Sequence, residues 1–243
     1  MFAAAPLTVA VSESDSQLMR EQFGAERVEV VDNGVDVAYF QPDGSVRDPD
    51  RLLFLGSLDW RPNLDAVKQL LDLVFPRVLA RRPSARLSIV GRKPPHWLAE
   101  RIGECPGVEL HADVPDVRPF LHTCGLMVVS LRIGGGSRLK ILEALAAECP
   151  VVSTRIGAEW LRLTPGRHFV QTETGEGLAD ALVEHIETPA PIREMARAGR
   201  QTTVDQYNWP ALADKLEAIW RRIGKGPFQR LPSVGQQVFN FPF

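Results

Sequence analysis

The stretch LMVVSLRIGGGSRLKILEA, residues 126–144, joins a buried-strand pattern to an amphipathic helix through three consecutive glycines. The apolar run that opens it predicts a strand covered on both faces. Ser137 is a favourable N-cap residue for the helix that follows. The glycines at 134–136 allow a backbone to approach a ligand closely, with amide groups free to face an anion. The order strand, glycine loop and helix predicts a ligand-binding turn.

Two cations, Arg138 and Lys140, occupy the first turn of this predicted helix. A helix N-terminus carries about half a positive charge and favours acidic side chains. Cations at that end therefore indicate a bound anion, and a phosphate is the usual one. The alternative is a glycine turn before an ordinary amphipathic helix, in which Lys140 pairs with Glu143. The position of the two cations favours the phosphate site.

Composition excludes several classes of protein. The chain has 243 residues with 44% hydrophobic and 24% charged residues, which is typical of a globular protein, and its net charge of −2 argues against nucleic-acid binding. Three cysteines are an odd number without metal-ligand spacing, and they predict a reducing, cytoplasmic location. The five histidines are scattered, so we expect no metal site. No apolar stretch approaches the ~20 residues of a membrane-spanning helix.

Strand and helix patterns alternate along most of the chain. Predicted strands lie at 52–55, 87–90, 108–111, 126–131, 151–153 and 168–171. Predicted helices lie at 63–80, 95–102, 117–123, 137–148, 158–163, 177–187, 192–206 and 210–223. Buried strands joined by helices predict an α/β fold with a doubly wound parallel sheet, similar to a Rossmann fold. Ligands bind at the carboxyl ends of the strands in such folds.

The chain divides into three parts by composition. Residues 1–41 form a strand-helix-strand unit followed by a turn, and this unit is too small to bury a core of its own. Residues 42–225 begin within a polar linker, which spans 41–50, and the alternating pattern follows it. Residues 226–243 are rich in Pro, Gln and Phe without periodicity, so we expect an irregular tail. The pair Asp48 and Asp50 lies in the linker, where a solvated turn is the preferred interpretation over a metal site.

Six short motifs, taken in order, resemble those of the retaining glycosyltransferases of family 4, which have the two-domain GT-B fold. The motifs are VAVSE (9–13), VDNGVD (31–36), FLGSL (54–58), LSIVG (87–91), EA (143–144) and CPVV (149–152). The resemblance covers residues 7 to about 224. It implies that residues 42–225 are the C-terminal, donor-binding half of the GT-B fold. Residues 1–41 then correspond to the end of the N-terminal acceptor domain, onto which the helix at 210–223 crosses back.

The resemblance assigns a donor site for a nucleoside-diphosphate sugar, which is a substrate and not a cofactor. It implies that Glu143 accepts hydrogen bonds from the ribose and that Val114 offers backbone groups to the base. The nucleotide-binding candidates from pattern and resemblance together are Gly56, Arg61, Gly91, Val114, Gly134, Gly135, Gly136, Ser137, Arg138, Lys140 and Glu143. Catalytic residues are not identified. We interpret the five tryptophans mainly as packing residues.

Two departures from the family pattern affect this site. The family often has two glutamates across the donor loop, and here Glu143 matches the second while Gly135 stands at the first. The family's arginine after the first donor strand is Ser57 here, and Arg61 is the nearby cation. We therefore expect Arg138 and Lys140 to take over the diphosphate contacts, without a metal.

The resemblance predicts sugar transfer to a glycan, lipid-linked or small-molecule acceptor. Because only the end of an acceptor domain is recognised, we expect this chain alone to be inactive. A separate acceptor-domain chain, a homodimer and peripheral membrane association stay open as partners. Two other functions also stay open: a non-catalytic module that binds a nucleotide or nucleotide sugar, and a protein similar to sugar-nucleotide epimerases.

Overall fold

A computed structural model describes residues 7–134 and 138–223. Gly135, Gly136 and Ser137 lie outside the described residues, as does the tail predicted at 226–243. The chain forms two compact units. The larger one is Asn33–Trp209, and the smaller one combines Met1–Asp32 with Pro210–Phe243.

The larger unit contains a parallel sheet of six strands within the described residues. The strands are β3 (Asp48–Leu55), β4 (Arg86–Gly91), β5 (Val108–Ala112), β6 (Cys124–Val129), β7 (Val151–Thr154) and β8 (Val170–Thr172). Their spatial order is β5-β4-β3-β6-β7-β8. The chain builds one side of the sheet outward from β3 and the other side outward from β6. A topological switch point therefore lies between β3 and β6, where doubly wound sheets open a crevice at the carboxyl ends of the strands.

Helices connect these strands. They are α2 (Arg61–Gln69), continued by a π-helical turn (Leu70–Val74) into α3 (Phe75–Arg81), then α4 (His96–Gly103), α5 (Arg118–Thr123), α6 (Leu139–Ala146), α7 (Glu176–Glu187) and α8 (Pro189–Gln206). Every residue of β6 is buried, because helices cover both faces of the sheet. The predicted doubly wound, Rossmann-like fold is confirmed.

The smaller unit is a two-stranded parallel sheet with helices. Strand β1 (Thr8–Ala10) pairs with β2 (Val28–Val30), and α1 (Glu13–Phe23) connects them. Helix α1 begins at the N-cap Ser12, whose Oγ accepts from the Asp15 N–H at 3.1 Å. The last helix, α9 (Trp209–Ile223), buries Leu212 and Ile219 in a cluster with Val31. The strand-helix-strand unit therefore exists as the sequence predicted.

Both predicted boundaries of the donor domain differ from the observed units. The division falls between Asp32 and Asn33 and not near residue 41. The reason is that Val35 and Phe40 are buried in the core of the larger unit, and the Val35 N–H donates to Tyr207 O at 2.8 Å. The helix at 210–223 belongs to the smaller unit, as the family resemblance implied, and not to the domain assigned to 42–225.

Two local predictions were wrong. The segment at 48–50 is the start of β3 and not a solvated turn, and Asp50 pairs with Arg82 at 2.7 Å. The segment at 158–163 forms turns and irregular backbone instead of a helix. Trp160 has φ 71°, a left-handed conformation that no α-helix contains.

No helix among the described residues is long and apolar enough to span a bilayer.

Substituting Leu53→Ala tests the position of the sheet core. Leu53 is fully buried in β3, so its truncation leaves a cavity and should lower the free energy of unfolding by about 2–5 kcal/mol in urea titrations. Leu73→Ala is the matched control, since Leu73 is 48% exposed, and should change stability by about 0.5 kcal/mol or less. Equal effects of the two substitutions would contradict the core described here.

Candidate functional site

Two glycines allow the ends of β3 and β4 to meet beside the switch point. The Gly56 N–H donates to Val90 O at 3.0 Å, and the Leu58 N–H donates to Arg92 O at 2.8 Å. A Cβ on Gly91 would lie 2.0 Å from Gly56 O, so the backbones meet at a distance that no side chain permits. Gly56 and Gly91 therefore belong to one surface.

The ammonium group of Lys140 lies against this surface. Its Nζ donates to Asn63 Oδ1 at 3.1 Å and lies 5.3 Å from the centre of the Phe54 ring. A Cβ on Gly56 would come within 2.8 Å of the same Nζ. The amide of Asn63 is fixed in turn, because its Nδ2 donates to Ser57 O at 2.8 Å. The first turns of α2 and α6 thus place a cation at the carboxyl end of β3.

Burial dominates the electrostatics of Lys140. The pKa of Lys140 is lowered to about 8, mainly by burial and also by the nearby charge of Arg138, against the attraction of Glu143. Burial raises the pKa of Glu143 to about 7, against the attraction of Lys140. Attraction between the two groups therefore does not compensate for their loss of hydration. An anion placed beside Lys140 would supply the missing stabilisation of its charge.

Arg138 has a different environment from Lys140. It is 3% exposed, and its guanidinium donates to Gly134 O and to Ile156 O, both at 3.0 Å. These bonds fasten the loop after β6 to the loop after β7. Arg138 also occupies the N-cap position of α6, which begins at Leu139 rather than at the predicted residue 137. The observed role of Arg138 is to brace two loops, and its contact with a diphosphate stays a prediction.

The loop that follows β6 passes beside the start of α2. Gly134 has φ 113°, a conformation that favours glycine, and a Cβ there would lie 3.2 Å from Pro62 and 3.3 Å from the Trp60 ring. The predicted site residues Gly135, Gly136 and Ser137 fall outside the described part of the chain. Among the described residues, the structure brings Gly56, Gly134, Arg138 and Lys140 to one end of the sheet.

The predicted base-binding region lies beyond β4, on the side away from β6. The Asp113 N–H donates to Gly91 O, and the Lys93 N–H donates to Asp113 Oδ1, each at 3.0 Å. Lys93 and Asp113 both have positive φ, at 52° and 51°, so the two loops have a defined and unusual shape. Val114 follows Asp113 directly and packs partly against the core.

Arg61 is the predicted cation for which the structure shows the least connection to this site. It is the first residue of α2 and is exposed to solvent. Its charge acts on Asp65, whose pKa is lowered mainly by a hydrogen bond from Arg132. Arg61 is therefore an exposed cation at the start of α2, and its contact with a nucleotide stays a prediction.

The sequence pattern predicts Asn63 only as the first residue of a helix, and its role in the site was missed. Asn63 is 3% exposed and holds Lys140 in place. A signal was present in the sequence. Asn63 shares the buried face of α2 with Ala66 and Val67, and an amide on such a face needs polar partners.

The tryptophans were interpreted wrongly as packing residues. All five are between 41% and 48% exposed: Trp60, Trp97, Trp160, Trp209 and Trp220. Each indole is therefore at least partly available at a surface.

Residues 7–134 and 138–223 contain no group of three or more His, Cys, Asp or Glu side chains placed to hold a metal ion. Independence from metal stays a prediction for the function of the site.

A doubly wound parallel sheet with a crevice at its switch point defines the class of Rossmann-like α/β proteins. A model of the family described as glycosyl transferases group 1 matches residues 49–188. The chain therefore belongs to the group 1 glycosyl transferases, as the resemblance predicted.

Individual relatives agree with the family. The chain is 28% identical over 224 residues to phosphatidyl-myo-inositol mannosyltransferase of Mycolicibacterium smegmatis, covering 88% of this chain and 57% of that protein. It is 27% identical over 226 residues to glycogen synthase of Mycobacterium tuberculosis, covering 87% and 53%. It thus spans little more than half the length of these curated relatives.

Solved structures support the fold. The sucrose-phosphate synthase of Thermosynechococcus elongatus has a TM-score of 0.73 to this chain at 18% identity, covering 91% of this chain and 59% of that one. This likeness confirms the GT-B type of fold.

The substitution Lys140→Met should raise stability at neutral pH. A cation whose pKa in the folded state is below its ordinary 10.5 destabilises the fold wherever it is protonated. Removing it should raise the free energy of unfolding at pH 7 by about 1–2 kcal/mol, a gain limited because Asn63 loses a partner. The parent chain regains stability as pH rises from 8 toward 10, so the advantage of the variant should shrink there.

Urea titrations at pH 7, 8, 9 and 10 measure this difference. Lys68→Met is the control, because Lys68 is exposed and should show no such pH dependence. A loss of stability in Lys140→Met at pH 7 would show that Lys140 is a structural residue.

The substitution Arg138→Ala should have the opposite effect in the same titrations. It should lower the free energy of unfolding by about 2–4 kcal/mol, because two carbonyls lose a charged donor.

Proposed function

We propose that this chain provides the donor-binding half of a glycosyltransferase that uses a nucleoside-diphosphate sugar. One observation carries the proposal: the partly buried ammonium of Lys140 at the switch point, with an amide as its hydrogen-bond partner and glycines around it. A diphosphate matches that environment in charge and in its demand for close approach.

The strand order supports a proposed position for the rest of the nucleotide. The base would lie at the ends of β4 and β5, where Gly91 and Val114 provide backbone groups. The ribose would lie at Glu143, whose carboxylate accepts hydrogen bonds from hydroxyl groups. The pKa of Glu143 is raised to about 7, so ribose hydroxyls would replace hydration that burial has removed from it.

Catalysis would use charge that develops on the leaving diphosphate. As the bond to the sugar breaks, negative charge accumulates on the β-phosphate, and a fixed cation beside it lowers the barrier. Lys140 can act in this way without a metal. Arg138 would contribute by holding the loops after β6 and β7, and any direct contact of Arg138 with the phosphate is a further part of the proposal.

The relatives named above are a mannosyltransferase and a synthase, and they favour transfer over epimerisation or binding alone. The names of these relatives support the proposal that the acceptor is a sugar or a lipid-linked molecule. The acceptor side would come from a full acceptor domain, a partner chain or a second copy. A cytoplasmic location with peripheral membrane association fits a lipid-linked acceptor.

Calorimetric titration with UDP and with GDP tests the donor site. Lys140→Met should weaken binding of the preferred diphosphate about 10–150-fold, because a hydrogen bond to a charged group contributes about 1.5–3 kcal/mol. Lys68→Met is the control and should bind like the parent chain. Affinity should persist in EDTA, as expected for a site without metal.

Unchanged affinity in Lys140→Met would refute the phosphate assignment. Loss of affinity in EDTA would instead show that a metal carries part of the diphosphate charge.

A further inference from the structure

Trp160 combines two properties that rarely occur together. It has φ 71°, in the left-handed region that bulky side chains avoid, and its residue is 47% exposed. A glycine would adopt the same backbone without strain. The backbone at residue 160 therefore gives no reason to prefer tryptophan over glycine.

The surrounding loop is held from several directions. Thr154 Oγ1 donates to Leu131 O at 2.5 Å and accepts from the Gly157 N–H at 3.0 Å. A Cβ on Gly157 would lie 2.4 Å from Ser153 Oγ, so the backbone of this turn packs closely against β7. Arg138 donates to Ile156 O at 3.0 Å. These contacts fix the turn that leads to Trp160 and keep the unfavourable backbone in place.

The loop that carries Trp160 is connected to the candidate diphosphate site, because Arg138 donates to Ile156 O at 3.0 Å. Along the carboxyl edge, the sheet runs from β5 and β4, through β3 and β6, to β7. Val114 and Gly91 follow the first pair, and Lys140 lies at the second. Trp160 follows β7, and the charge of the adjacent Glu159 acts on Arg138. A nucleotide sugar laid along this edge, with its base at β4 and β5, would extend its sugar toward β7.

We propose that Trp160 is a sugar-contact residue, whose indole packs against the apolar C–H face of a pyranose ring. A flat, rigid aromatic group provides such a surface at a small cost in side-chain entropy. The inference rests on the proposed donor site for its geometry. The pyranose belongs either to the donor or to the acceptor, because both rings have the same chemistry.

Two substitutions separate the strain from the contact. Trp160→Gly and Trp160→Ala both remove the indole, but only glycine relieves the left-handed backbone. The glycine variant should therefore melt about 2–4 °C above the alanine variant. Equal melting temperatures would contradict the strain on which the argument depends.

Calorimetry with the full chain tests the contact. UDP, GDP, UDP-glucose, UDP-N-acetylglucosamine and GDP-mannose are titrated first, to find the nucleotide sugar that the parent chain prefers. Both variants should bind that nucleotide sugar at least fivefold more weakly than the parent, with UDP or GDP affinity within twofold of it. Trp97→Ala is the control, because Trp97 is 41% exposed on α4, with Lys68 4.7 Å from its ring centre. It should change neither affinity.

Titration with methyl glucoside and methyl mannoside distinguishes the two sources of the sugar. If both variants lose glycoside binding with nucleotide-sugar affinity unchanged, Trp160 contacts the acceptor. Unchanged affinity for nucleotide sugars and glycosides alike would overturn the assignment. An equal loss of diphosphate and nucleotide-sugar affinity would also overturn it, since Trp160 would then support the phosphate loop.

Failure of the proposed function has a separate signature. If the parent chain binds neither UDP nor GDP, the donor site is refuted, and the glycoside titration alone decides on Trp160. Glycoside binding that the variants lose would support the contact, and absence of glycoside binding in the parent would overturn it.

Discussion

The rest of the site depends on the ammonium group of Lys140, which lies at the switch point of the sheet. Burial lowers its pKa to about 8, and Asn63 is the neutral group that holds it. A charge kept in such a place costs stability unless an anion joins it. In this chain the destabilising charge lies at the point where a doubly wound sheet opens its crevice. The proposal that the site binds a nucleotide rests on this one position.

Glycines and a buried arginine make the position possible. Gly91 and Gly56 bring two backbones so close that the loops after β3 and β4 act as one surface. Arg138 does not add a second free cation to that surface but joins Gly134 to Ile156. Two cations two residues apart in the sequence thus have separate tasks. One fixes the loops, and the other faces the space where a diphosphate would lie.

Local patterns predicted much of this architecture. The apolar run of β6 and the glycine turn after it located the site, because both signals lie within a few residues in the chain. Asn63 was missed because its role depends on Lys140, which is distant in sequence. The segment at 158–163 was predicted as a helix, since its composition suits one, but the Arg162 N–H donates to the hydroxyl of Tyr207 at 2.7 Å, a residue far away in the sequence. Contacts between residues distant in the sequence, and not local preference, decided the two outcomes that were missed.

Nuclear magnetic resonance of the Lys140 side chain tests the central claim most directly. In lysine-labelled protein, the Lys140 signal is assigned by its absence in the methionine variant and followed from pH 6 to pH 11. The account predicts a pKa of about 8 in the free protein. With saturating UDP or GDP, whichever binds, the pKa should rise above the ordinary lysine value of about 10.4, because a phosphate beside the ammonium favours its charged form. An unchanged pKa in the presence of a demonstrably bound diphosphate would contradict the account.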